Sequence, residues 1–167
     1  ESDSIIRKWN LGVTENDRGE YRKGKLVDPA HPVVFYIDTC CPAEFVPYIK
    51  EGVLAWNAAF EKAGFKNALR VKMADSKTVL EEQRAVIAYD LHEAGIRTGY
   101  TFHPKTGEIL SCRVNIGHGF LPKELWRYVL ECGTVDDRIR KEFFHPDVVG
   151  EILRSKVIRA VGSVLGL

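Results

Sequence analysis

Residues Val33-Val34-Phe35-Tyr36-Ile37 form a continuous run of β-branched and aromatic side chains, and the pattern that follows them restricts the fold more than any other feature of the chain. A short run that is apolar at every position is the pattern of a strand covered on both faces, as where helices pack on a parallel sheet. Cys41-Pro42 then opens a helical segment. Proline is tolerated at a first helical position, and Glu44 falls where the helix dipole favours a negative charge. Ile49, Val53, Trp56 and Phe60 recur at i, i+4, i+7 and i+11 as one stripe, with Lys50, Glu51, Glu61 and Lys62 on the opposite side. Gly64 is the expected left-handed cap, with Phe65 folding back on it. Ala68 to Met73 alternates as a strand and Arg84 to Tyr89 predicts another, with a short polar helix near Thr78 to Gln83 between them. A strand, a helix of about 20 residues and a second strand make a parallel crossover, right-handed by the general rule.

The second half of the chain changes character. Asp90 to Thr98 is glycine-bearing and is expected to be mobile. Tyr100-Thr101-Phe102-His103, the turn Pro104-Lys105-Thr106-Gly107 and Ile109 to Ile116 make a hairpin signal. In the second arm the alternate residues Ser111, Arg113 and Asn115 are polar, which suits an edge strand. Three helical segments are predicted, over Pro122 to Glu131, Val135 to Phe144 and Pro146 to Leu165. Residues 1–30 read as an irregular lead-in with Trp9 as its large anchor. The class is therefore α/β (α+β), a mixed and mostly parallel sheet backed by helices, in a single domain spanning 1–167.

Composition excludes several functions. With 24 basic and 23 acidic side chains the net charge is +1, so bulk charge recruits neither nucleic acid nor an anionic membrane. No apolar run approaches the roughly 20 residues that span a bilayer. Glu1-Ser2-Asp3-Ser4 lacks a signal-peptide pattern, so export would require a leader already removed. Cys40, Cys41, Cys112 and Cys132 show no C-x-x-C spacing, and free, partly buried thiols are expected. No G-x-S-x-G elbow, phosphate loop or dinucleotide fingerprint is present. His103 and His118 bracket the predicted edge strand, where with Cys112 or Glu108 they offer an improvised metal site or stand as separate surface residues. His92-Glu93 begins like a zinc motif, but Ile96 occupies the second ligand position.

The C-terminal segment Val157-Ile158-Arg159-Ala160-Val161-Gly162-Ser163-Val164-Leu165-Gly166-Leu167 carries the frame of a zinc-protease helix. In the H-E-x-x-H motif two histidines at i and i+4 bind zinc and the glutamate is the general base. Here those places hold Arg159, Ala160 and Ser163. Together with Val34-Phe35-Tyr36-Ile37-Asp38, Pro47-Tyr48-Ile49-Lys50-Glu51-Gly52, Trp56-Asn57, Ala59 to Phe65 and Thr106 to Leu110, in this order, the chain resembles a bacterial metzincin-like family of zinc-dependent metallopeptidases, whose members are typically exported.

The resemblance implies a twisted sheet whose antiparallel edge strand, Ile109 to Ile116, lays out an extended substrate by added-strand pairing, with Leu110, Ser111, Cys112, Arg113 and Asn115 as the substrate-binding residues. It also implies zinc as the family cofactor and an exported protein. The ligand positions depart from the pattern completely. A guanidinium cannot ligate Zn²⁺, a serine hydroxyl is a poor ligand, and alanine moves no proton. The chain also stops before the place where a metzincin offers its third ligand and lower subdomain. The expectation is a metallopeptidase-like domain without catalytic residues or zinc, a pseudo-peptidase or peptide-binding module. The alternative is a zinc endopeptidase completed by other residues or a further region. Arg159 either neutralises the vacated site by pairing with a carboxylate or is an exposed helix arginine, and Ser163 is a small packing residue.

Overall fold

The computed structural model describes residues 5–75 and 84–167. Val33–Ile37 forms β1 inside the sheet, with Phe35 and Ile37 completely buried beneath helices and Val34 and Tyr36 half-buried on the other face. It pairs in parallel with β2, Leu69–Met73, in the register Val33↔Leu69 to Ile37↔Met73, as the crossover pattern requires. On its other side β1 pairs in parallel with β3, Ala85–Asp90. The hairpin supplies β4, Ile96–Phe102, and β5, Ile109–Gly117, which pair antiparallel. The order β2-β1-β3-β5-β4 makes a five-stranded, mostly parallel sheet with an antiparallel pair at one edge, the class that the sequence predicts.

The edge-strand expectation is overturned. Ile109 to Ile116 is not the edge strand, because β5 pairs in parallel with β3 through Ala85↔Cys112 to Asp90↔Gly117 and antiparallel with β4. Its polar residues Ser111, Arg113 and Asn115 lie on the sheet face away from the helices, opposite the buried Cys112, Val114 and Ile116. Alternation reports an accessible face and not an unpaired backbone. The edge is β4, which begins within the segment expected to be mobile.

The long helix between β1 and β2 is two helices, α2 at Val46–Leu54 and α3 at Asn57–Lys62. The chain tightens between them, where the Trp56 N–H turns to the Val53 carbonyl, 3.3 Å away and only three residues back. Asn57 then clamps the start of β2, its side-chain oxygen accepting from the Leu69 N–H at 2.8 Å and its amide donating to the Leu69 carbonyl at 3.1 Å. Gly64 takes the expected left-handed conformation, φ +93°. The polar helix expected near Thr78 to Gln83 lies outside the described residues.

The remaining helices are α4 at Phe120–Cys132, α5 at Asp137–Lys141 and α6 at Pro146–Leu165. Asp136 caps α5, accepting from the Arg138 N–H at 3.0 Å, so this helix starts later and ends earlier than the apolar pattern suggests. Helix α6 packs on α2 over the sheet. Ile49 and Val53 of α2 and Val148, Leu153, Val157, Val161 and Val164 of α6 are fully buried. Contact is close because Gly52 faces Val157, where a Cβ would stand 2.8 Å from Val157 Cγ1. The described part of the lead-in holds one short helix, α1 at Arg18–Arg22, and is tied to the core. Trp9 donates its indole N–H to the Val164 carbonyl at 3.2 Å, and Ile109 donates its N–H to the Lys8 carbonyl at 2.8 Å. No helix among the described residues is long and apolar enough to cross a membrane.

Candidate functional site

Lys156, Arg159, Ala160 and Ser163 fall at i, i+3, i+4 and i+7 of α6, and this spacing places them on one side of the helix. The face is turned towards the edge of the sheet. Ala160 is buried against the interior, while Arg159 and Ser163 are exposed. Together they form one wall of a cleft of about 420 Å³. The opposite wall is Ile96 and Thr98 of β4 with Ala94 and Gly95 before them, and α4 closes one end with Phe120, Lys123 and Glu124. Arg159, Ala160 and Ser163 thus line one cavity beside the edge strand.

The alternation of the β4–β5 pairing shows which backbone groups of that edge are free. Gly117 donates its N–H to the Gly95 carbonyl at 2.9 Å. Residues 95 and 117 are therefore a hydrogen-bonded pair, and the register makes Arg97–Asn115, Gly99–Arg113 and Thr101–Ser111 the next ones. The N–H and C=O of Ile96, Thr98 and Tyr100 point away from β5. No backbone group of another described residue bonds to them.

The residues expected to bind substrate lie elsewhere. Cys112 is buried and donates its N–H to the Arg84 carbonyl at 2.7 Å. Leu110 sits at the irregularity in the β4–β5 register, with its carbonyl accepting from Arg84 Nε at 2.9 Å. Ser111 shares a hydrogen bond with Thr101, and Arg113 Nε donates to Asn115 Oδ1 at 3.1 Å. Their backbones are committed within the sheet, so Leu110 to Asn115 offers no edge to an added strand. Added-strand pairing belongs to Ile96, Thr98 and Tyr100 if it occurs in this fold.

Charge in the cleft is uneven. Glu124 receives Lys156 at 2.7 Å and also pairs with Arg127. Lys123 and Arg159 form no hydrogen bond or ion pair with any described residue. The carboxylate partner that one reading of Arg159 requires is absent among the described residues. The donors here do not suit zinc, since a guanidinium, a methyl group and a lone hydroxyl supply no imidazole or thiolate. Among the described residues no three His, Cys, Asp or Glu side chains come together in a way that could hold a metal ion.

The histidines are separated by β5. His103 Nδ1 accepts from the backbone N–H groups of Lys105 and Thr106 in the hairpin turn. At the far end His118 Nδ1 meets the Tyr89 hydroxyl at 2.6 Å. Nine strand residues at about 3.3 Å each hold the two rings far beyond a shared metal. Burial, with smaller contributions from the nearby Cys41 and Glu44, raises the Tyr89 phenol above its usual range. A second hollow of about 500 Å³ lies beside His118, walled by Phe45, Tyr48, Leu121, Phe144 and Val149. It is mainly apolar, and of the residues that the sequence singles out as candidates it holds His118.

Sequence reasoning missed Lys123, Glu124, Ile96 and Thr98 as lining residues. Lys156 was recoverable, because it precedes Arg159 by three residues on the same helix. The α4 pair was not, since nothing local says where the start of α4 docks. Comparison with protein-family models, curated proteins and solved structures gave no match.

Proposed function

We propose that the chain is a metallopeptidase-like domain without zinc chemistry that binds an extended peptide or protein segment along the free edge of β4. One observation carries this reading: Arg159, Ala160 and Ser163 line the same cleft as the free edge of β4. Main-chain pairing at an edge requires neither a metal nor a general base, so it survives the loss of both. The peptide adds a sixth strand beside β4, using the N–H and C=O of Ile96, Thr98 and Tyr100. Alternate side chains of the peptide then point into the cleft, towards α6.

The test uses a pool of random nonapeptides, acetylated and amidated, and measures retention by the purified protein. Thr98→Pro removes an outward N–H without breaking a β4–β5 bond, and Thr98→Ala removes only the side chain. Retention by the alanine variant with a loss of about tenfold in the proline variant, the value of one main-chain hydrogen bond, supports the reading. Equal retention by both variants, with both folded by circular dichroism, contradicts it.

A further inference from the structure

We infer that the groove selects an acidic segment, one that places an Asp or Glu side chain into the cleft between β4 and α6. The inference rests on the peptide-binding reading and adds its substrate class. Lys123, Lys156 and Arg159 line this cleft against one carboxylate, Glu124. That carboxylate is already engaged by Lys156 at 2.7 Å and by Arg127. Glu93, just before the strand, is neutralised by Arg97 at 3.0 Å. Two cations without an ion-pair partner among the described residues, Lys123 and Arg159, therefore share one concavity in a chain whose net charge is only +1. The surplus is local to the cleft.

Geometry says which part of a peptide meets these cations. A strand added to β4 alternates its side chains between the two faces of the sheet. Those on the same face as Ile96 and Thr98 enter the cleft that Arg159 lines. A carboxylate there accepts two parallel hydrogen bonds from the guanidinium, a pairing specific in geometry as well as charge. The partly enclosed site weakens screening, and the remaining contribution falls as salt rises.

The experiment uses three pools of acetylated, amidated nonapeptides, random except for a central Glu, Gln or Lys, so that no terminal carboxylate contributes. Retention of each is measured on the intact protein at low and at physiological salt, and again on Lys123→Gln/Arg159→Gln and on Thr98→Pro. The inference expects the Glu pool to be retained about tenfold better than the Gln pool, the scale of one charge-assisted pair, and the Lys pool least. It expects Lys123→Gln/Arg159→Gln to abolish the difference between the Glu and Gln pools, and a Glu preference that persists in this variant overturns the inference. Three pools retained equally, all sensitive to Thr98→Pro, overturn the acidic preference and leave the groove intact. A Glu preference indifferent to Thr98→Pro, or retention of no pool, overturns the groove and the inference with it.

Discussion

The indole of Trp56 occupies the space that a side chain on Gly162 would need. A Cβ there would stand 2.5 Å from Trp56 Cζ2, and the ring is held in place by its N–H, which donates to the Ile158 carbonyl at 2.8 Å. Helix propensity alone favours alanine over glycine by about 1 kcal/mol. Overpacking against an anchored ring costs about 1–3 kcal/mol and decides the sign. Gly162→Ala is therefore expected to lower the urea midpoint, and a raised midpoint would show that the indole can move aside.

Arg159 is predicted to be dispensable for folding. It is exposed and without a partner among the described residues, so Arg159→Ala should change stability by less than about 0.5 kcal/mol. Leu153, fully buried on the same helix, should cost about 2–5 kcal/mol on truncation to alanine. Paired denaturation curves check both. A loss above about 2 kcal/mol at Arg159 would instead mean a buried ion pair.

Purified protein is predicted to carry zinc well below one atom per chain, because Arg159, Ala160 and Ser163 provide no suitable donor set. Elemental analysis after dialysis measures the content. Thermal melts with and without a chelator should coincide. One tightly held zinc per chain, lost together with stability on chelation, would refute this.

How legible these features were depended on what each residue pattern reports. The run Val33 to Ile37 predicts an interior strand correctly, although only Val33, Phe35 and Ile37 are buried while Val34 and Tyr36 are half-buried on the other face. Ser111, Arg113 and Asn115 mark an accessible face of β5 correctly but carry no information about backbone pairing, which is why the edge was misplaced. The hairpin signal reached only the Tyr100–Phe102 end of β4, because Arg97, Thr98 and Gly99 are exposed and an edge strand that buries little shows no stripe. The break between α2 and α3 has no proline or glycine to announce it. The Val161-Gly162 pair of the family-like frame was visible, and its glycine has a packing reason of its own in Trp56. The union of α6 with β4 and α4 into one cleft is tertiary, and local spacing reveals only the α6 side of it.

Cysteine reactivity should divide by burial. Burial pushes the Cys112 thiol up to about 12. Burial, with Asp38 adding to it, pushes Cys41 up to about 11. Both stay protonated near neutral pH, and the thiolate is the reactive form. Timed alkylation read by mass spectrometry should label the exposed Cys40 first and reach Cys112 only on unfolding. Because both folded values lie above a thiol's ordinary value of 9.0, their contribution to stability is present below about pH 9 and is lost as pH rises through the folded values. Rapid labelling of Cys112 in the folded protein at pH 8 would contradict this.

Per-residue amide hydrogen exchange along β4, with and without a retained peptide, tests the central claim most directly. In the free protein the N–H groups of Arg97, Gly99 and Thr101 should exchange slowly and those of Ile96, Thr98 and Tyr100 quickly. With peptide at saturation the second set should become slow, because each outward donor acquires a carbonyl partner. Protection of Ile96, Thr98 and Tyr100 already present in the free protein would contradict an open edge. Unchanged rates at these three with new protection elsewhere would place the binding surface outside this cleft.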